Sequence, residues 1–300
     1  MTGAPLVRIG PAHGAAPRAY RIGVPLPRGW LAEGAPVAGC DAATGAPVPL
    51  QSRALARWPD RSVKWLLVDA APGPGPGGAA RAVELVRAGA PDGAAPMRTA
   101  RQVEALVVDA GACTVAFDVR GDRLVASVRD AGGAERLASD GIRLRVAGAA
   151  VAVLDARVEE SGPLRTLVVQ HGTITSPLPR PLEFVARWTL TAGEAAVLLE
   201  LRLRNPNPAL HPGGLWDLGD PGSVLIGDLS IEAAPSAAPE RVAWRTAPEA
   251  AEAGAPAADW ALYQDSSGGE RWDAPNHVEA DGTSGVAFRG WRASGPGGET

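Results

Sequence analysis

From Leu182 to Asn205 the chain reads LEFVARWTLTAGEAAVLLELRLRN, alternating apolar and polar positions on both sides of Ala192-Gly193-Glu194. One arm aligns Phe184, Ala186, Trp188 and Leu190; the other aligns Val197, Leu199, Leu201 and Leu203, with Glu200, Arg202 and Arg204 on the opposite side. A period of two about a glycine-containing turn predicts an antiparallel β-hairpin. The same alternation predicts short strands at Tyr20–Leu26, Val63–Asp69, Ala82–Arg87, Ala105–Val108, Cys113–Val119, Arg123–Arg129, Ile142–Val146, Val151–Val158, Thr166–Thr173, Val224–Ile231 and Gly285–Trp291. Only Pro239–Ala253, with AWRTAPEAAEAG, reads as helical, and Pro248 would keep that helix short. Many short strands without intervening helices predict an all-β chain, not βαβ units.

Composition sharpens this picture. The 37 glycines and 28 prolines exceed a fifth of the 300 residues, which disfavours long helices and multiplies turns. Pro72–Gly78 (PGPGPGG) reads as a hairpin loop, and Gly89–Pro96 (GAPDGAAP) as the end of a first unit. The expected organisation is a small N-terminal β-barrel at 1–100 followed by a large antiparallel β-sandwich at 101–300. A formal net charge of −4 offers no basic stripe for phosphate backbones, so nucleic acid is not an expected partner. No apolar run is long enough for a transmembrane helix, and no membrane partner is expected. The N-terminus has neither a basic start nor an apolar stretch, so a cytoplasmic location is the default unless the chain is trimmed. Cys40 and Cys113, the two cysteines, make neither a zinc site nor a disulfide framework and read as small buried residues.

Three segments concentrate chemically capable side chains. In Arg57-Trp58-Pro59-Asp60-Arg61-Ser62, proline presets a turn, aspartate caps amides and tryptophan covers the hairpin end. In Asn205–Glu232, His211, Trp216, Asp217 and Asp220 occupy a Gly/Pro-rich loop between strands, where binding residues collect. An indole can stack on a sugar ring while carboxylates accept its hydroxyl hydrogens. The Asp217–Asp220 spacing lacks the oxygen-rich pattern of a calcium loop, and no metal is expected. In Tyr263–Val278, Asp265, Arg271, Trp272, Asn276 and His277 surround a polar Ser-Ser-Gly-Gly turn. Ser266 or Ser267 as nucleophile lacks the strand–elbow–helix setting of a hydrolase. His171, mid-strand in VVQHGTI, reads as a core-lining histidine, and no glycine pair has the setting of a nucleotide cradle. No cofactor is expected.

Four segments taken together, Arg21–Gly29, Pro49–Trp65, His211–Ser223 and Gln264–Trp272, resemble the exo-rhamnogalacturonan lyase-like (YetA-like) family of large bacterial proteins. The resemblance implies a RIFT barrel, then a central β-sandwich, then an α/α toroid. No paired helices follow residue 291, so the resemblance covers the barrel and sandwich without the toroid. Arg61 stands where that family's W-P-D-G-S turn has glycine. The implied function is the β-domain portion of a polysaccharide lyase-like protein that cleaves an acidic, rhamnose-containing pectic chain by β-elimination, incomplete as a catalyst by itself. Elimination needs a base and a cationic group for the anion it creates; His211, Arg271 and His277 are the catalytic candidates. Trp216, Asp217, Asp220, Asp265, Trp272 and Asn276 are the substrate-binding candidates. The expected partners are an acidic oligosaccharide or polysaccharide and an α/α toroid domain. A glycan-binding or scaffolding module without chemistry, or a plain protein-interaction domain, are the competing readings.

Overall fold

The computed structural model of the chain describes residues 5–9, 19–73, 80–87, 97–209, 222–244, 253–256, 261–266, 286–295 and 298–299. Every regular element among them is a β-strand, and every strand pair is antiparallel. The chain divides into two units, Met1–Ser236 and Ala237–Thr300.

The first unit begins with seven strands: β1 (Leu6–Ile9), β2 (Tyr20–Pro25), β3 (Val37–Asp41), β4 (Pro47–Val48), β5 (Leu50–Arg57), β6 (Val63–Ala70) and β7 (Arg81–Arg87). They form two small sheets, β1-β7-β3-β4 and β2-β6-β5, around one hydrophobic cluster. Alternation along β6 sends Leu66, Val68 and Ala70 into that cluster, where Trp30, Leu31, Val83 and Leu85 meet them. The Pro72–Gly78 segment therefore does not close a hairpin. Its flanking strands, β6 and β7, lie in different sheets, because β7 is the central partner that β1 and β3 need.

The turn joining β5 to β6 is the expected tight hairpin. The Trp58 amide donates to the Ser62 carbonyl (2.8 Å) and the Arg61 amide to the Trp58 carbonyl (2.9 Å). Asp60 Oδ1 accepts from the Ser62 hydroxyl and amide, and those bonds, with Arg28, hold its carboxyl below the usual carboxylate range. Trp58 Nε1 donates to the Leu26 carbonyl, and Lys64 Nζ sits over its ring at 4.6 Å. Arg61 has φ of 68°, the one positive value at a non-glycine position among the described residues. Its Cβ is strained there, while its ion pair with Glu33 is exposed and contributes little. Arg61→Gly is expected to raise stability by about 0.5 kcal/mol, relief of the left-handed strain outweighing glycine's greater unfolded entropy. A shift of the urea midpoint upward would check it.

Ten further strands follow: β8 (Arg98–Arg101), β9 (Ala105–Asp109), β10 (Cys113–Asp118), β11 (Val125–Asp130), β12 (Leu137–Val146), β13 (Val151–Ser161), β14 (Arg165–Ile174), β15 (Leu182–Thr191), β16 (Val197–Arg204) and β17 (Leu229–Pro235). β8 to β12 run as one meander and β13 to β16 as a second; β17 then returns to pair with β12. The two sheets bury a shared cluster in which Phe117, Leu124 and Leu144 meet Phe184, Trp188 and Leu190. The hairpin read from the sequence has the expected register, Phe184 opposite Leu203 and Trp188 opposite Leu199. Gly172 on β14 faces Phe184, whose ring lies where a Cβ would stand (2.2 Å), so glycine is required for the ring to lie on the strand. Cys113 is buried, whereas Cys40 is only half-buried, and both are free.

The second unit, described by itself, has β18 (Arg241–Trp244) paired with β19 (Ala253–Pro256), and β20 (Ala261–Gln264) paired with β21 (Trp291–Gly295), which pairs in turn with β22 (Gly298–Glu299). Of the helix expected at Pro239–Ala253, Arg241–Trp244 form β18 and Ala253 begins β19, while residues 245–252 lie outside the described residues. Two other expected strands shift: β17 starts at Leu229, where β12 supplies a partner, and β21 starts at Trp291.

Candidate functional site

Of the nine residues the sequence nominates, Asp265 alone falls within the described residues. His211, Trp216, Asp217, Asp220, Arg271, Trp272, Asn276 and His277 lie outside them. The flanks of the first loop are nevertheless well defined. Asn205 Nδ2 donates to the Gly222 carbonyl (2.7 Å), joining the residue after β16 to the resumption of the described chain. Asn205 Oδ1 accepts from the Asn207 amide and side chain, while Asn207 clasps both backbone groups of Arg180. The NPN sequence is thus an anchor, its short amides competing for backbone groups as turn residues do. Beside it lies a cleft of about 390 Å³ lined by Val146–Ala149, Ile174–Pro177, Leu182 and Val224–Ile226. Ile174 and Leu182 give it an apolar floor, and none of its lining side chains is titratable. Such a cleft can seat a neutral ring but cannot move a proton.

In the second unit, Asp265 follows β20 and is committed to structure. Its Oδ2 accepts from the amides of Ala287 and Phe288, and its Oδ1 from the Tyr263 hydroxyl at 3.1 Å. Those backbone donors, Ala287 first, hold its carboxyl below the usual range, and the same contact pushes the Tyr263 hydroxyl up. Ser266 Oγ likewise accepts from the Gly290 amide (2.8 Å). The polar turn read from the sequence therefore bridges the chain across twenty-odd residues, with one bond to Asp265 Oδ1 and two to its Oδ2.

His171 does not line the core. The β14 register puts Val168, Gln170 and Gly172 inward, so His171 stands on the outer face, half-buried, with Nδ1 3.2 Å from Arg157 Nη1. A guanidinium can only donate. Nδ1 is therefore the acceptor in this contact. Around it Arg187 pairs with Glu159 and Arg202 with Glu200, the pattern of a solvated, charge-balanced sheet face. Deeper, Asp118 at the end of β10 is buried and its carboxyl is raised by desolvation, although Arg123 opposes this at 3.1 Å.

The densest polar assembly is one the sequence did not nominate. Where β2, β5 and β6 approach the β13–β14 turn, Asp69 accepts two bonds from Arg21 (2.9 and 2.8 Å), and Arg165 Nε lies 3.0 Å from the same carboxylate. Arg21 Nη2 also donates to Glu160 Oε1 (3.0 Å), as does Gln51 Nε2 (3.0 Å). Gln51 Oε1 accepts the amides of Leu164 and Arg165. The Asp69 bond raises the Arg21 guanidinium's affinity for its proton against the opposing effect of burial. Gly162 is indispensable to the fit, since a Cβ there would lie 2.1 Å from the Gln51 amide. Met97 extends the seam, its amide donating to the Gly162 carbonyl at 3.0 Å. Two hydrophobic clusters are in this way joined by a polar, hydrogen-bonded seam.

Among the described residues no group of three or more His, Cys, Asp or Glu side chains could hold a metal ion, and no helix is long and apolar enough to cross a membrane. Residues 6–79 match the family model described as the PcRGLX-like N-terminal RIFT barrel domain. The match spans β1 to β6, and β7 begins two residues after it ends. No curated protein matches the chain. A RIFT barrel of the rhamnogalacturonan lyase-like type thus opens an all-β chain.

Proposed function

We propose that this chain is the β-domain portion of a rhamnogalacturonan lyase-like carbohydrate-active protein, that it contacts an acidic, rhamnose-containing pectic glycan, and that it is not a complete catalyst by itself. The observation that carries this reading is the family match over residues 6–79. The polar seam supports it, because a barrel pinned to a sandwich presents fixed surfaces to an extended ligand, as preorganised recognition requires.

The test uses rhamnogalacturonan oligosaccharides. Calorimetry is expected to record saturable binding, while the absorbance of an unsaturated uronate stays flat on prolonged incubation with the protein alone. Absence of binding would remove the glycan reading. A rising absorbance would remove the claim that the chain lacks catalysis of its own.

A further inference from the structure

We infer that the outer face of the β2-β6-β5 sheet is a binding site for a sugar acid, in which Trp65 is the platform for the ring and Arg53 receives the carboxylate. The inference rests on the glycan reading above and gives it a location and a ligand class. Alternation along β6 puts Trp65, Leu67 and Asp69 on the face opposite the core. Asp69, at one end, is consumed by the seam. The other end is open, and there Trp65 is 40 % exposed and Leu55 is 49 % exposed.

The cross-strand partner of Trp65 on β2 is Pro25, and the indole reaches back over Gly23. Gly23 on β2 has no side chain to rise beside the ring; a Cβ built there would only just touch the indole, at 3.8 Å from Cε3. On the other side the partner of Trp65 is Ala56, across an irregularity in β5 that leaves Leu55 as an extra residue. Flanked by proline, glycine and alanine, the tryptophan stays substantially exposed. Its indole N–H meets no acceptor among the described residues.

The charge lies one step along the same face. Arg53 pairs with Leu67 in the ladder, so it is the diagonal neighbour of Trp65, within the reach of one pyranose ring. Its side chain is 56 % exposed, and the nearest carboxylate oxygen, Glu160 Oε2, is 4.0 Å from Nε. That distance is too long for a hydrogen bond. Arg53 accordingly makes none among the described residues, and Glu160 Oε2 is itself buried without a hydrogen-bond partner. The glutamate steers the guanidinium without occupying its forked donors, which match a carboxylate two-to-two. A neutral sugar would use the platform alone; a uronate uses both.

The test titrates an oligogalacturonate and its methyl ester into the wild-type protein and into Trp65→Ala, Trp65→Phe and Arg53→Gln. Far-ultraviolet circular dichroism confirms that each variant is folded. Trp65→Ala is expected to weaken both ligands about tenfold or more and Trp65→Phe to restore part of the loss, since aromatic contact is worth roughly one such factor. Arg53→Gln is expected to abolish the preference for the free acid while leaving the ester unaffected. If the wild type binds and all three variants bind equally well, this site is wrong and the glycan reading survives. If the wild type binds neither these ligands nor the rhamnogalacturonan oligosaccharides above, the glycan reading falls and this site with it.

Discussion

Gln170→Leu is expected to lower stability by about 3–5 kcal/mol, among the largest effects of any single substitution in this chain. Gln170 is fully buried on β14 and spends its amide on both sheets of the sandwich. Its Nε2 donates to the carbonyls of Asp118 and Leu124, each at 2.8 Å, at the end of β10 and the approach to β11. Its Oε1 accepts from Trp188 Nε1 on β15, also at 2.8 Å. Leucine has nearly the same volume, so little cavity forms and the loss isolates the polar contribution. The Trp188 N–H is left buried without an acceptor and two carbonyls lose a donor, each at the cost of desolvating a group that water cannot reach. Denaturant unfolding followed by tryptophan fluorescence measures the change. A loss smaller than about 1 kcal/mol would mean that the three bonds contribute nothing beyond their exchange with water. Trp188→Phe combined with Gln170→Leu should be less damaging than the sum of the singles, because both remove the same bond.

The sandwich was legible in the sequence where side chains alternate strongly. Phe184 to Leu190 and Val197 to Leu203 declare their faces because aromatic and branched residues oppose charged ones, and the structure returns that register strand for strand. β3 and β5 were not legible. VAGCD and LQSRALAR contain few β-branched residues, and their strand character comes from partners: β7 for the first, 42 to 50 residues along the chain, and β6 for the second, 6 to 20 residues along. The same non-locality hid the seam. Arg21 and Glu160 are 139 residues apart, and Gln51 and Arg165 are 114 apart, so no motif window could join them. Asp265 was visible as a polar turn residue, but what it does depends on the amides of Ala287 and Phe288, which sequence spacing does not bring near. Trp65 was visible as a tryptophan within a familiar run. Its exposure follows only from the register that sends Leu66 inward, a one-residue matter on which the face of every side chain turns.

Asp69→Asn tests whether the seam holds the two hydrophobic clusters together. The asparagine is isosteric and retains one acceptor, so packing survives while the charge facing Arg21 and Arg165 disappears. Asp69 is almost fully enclosed, and Arg165 is largely so. Removing the anion from a buried pair costs about 3–5 kcal/mol when the partner is trapped. Arg21 is 30 % exposed and can recover some hydration, so the expected loss is nearer 2–4 kcal/mol. The effect should also have a direction. With the seam weakened, the barrel around Val68 and Leu85 and the sandwich around Phe117 and Phe184 no longer share their stability, and a single unfolding transition in the wild type should separate into two. Gly162→Ala should produce the same separation by a different route, forcing the Gln51 amide from its three hydrogen bonds without altering any charge. Arg28→Ala, which breaks the exposed pair with Asp60 on the far hairpin, is the matched control and should change stability by less than about 1 kcal/mol and leave one transition. Calorimetry distinguishes the cases. A single transition in Asp69→Asn, shifted no further than in Arg28→Ala, would show that the clusters are bound by something other than these charges.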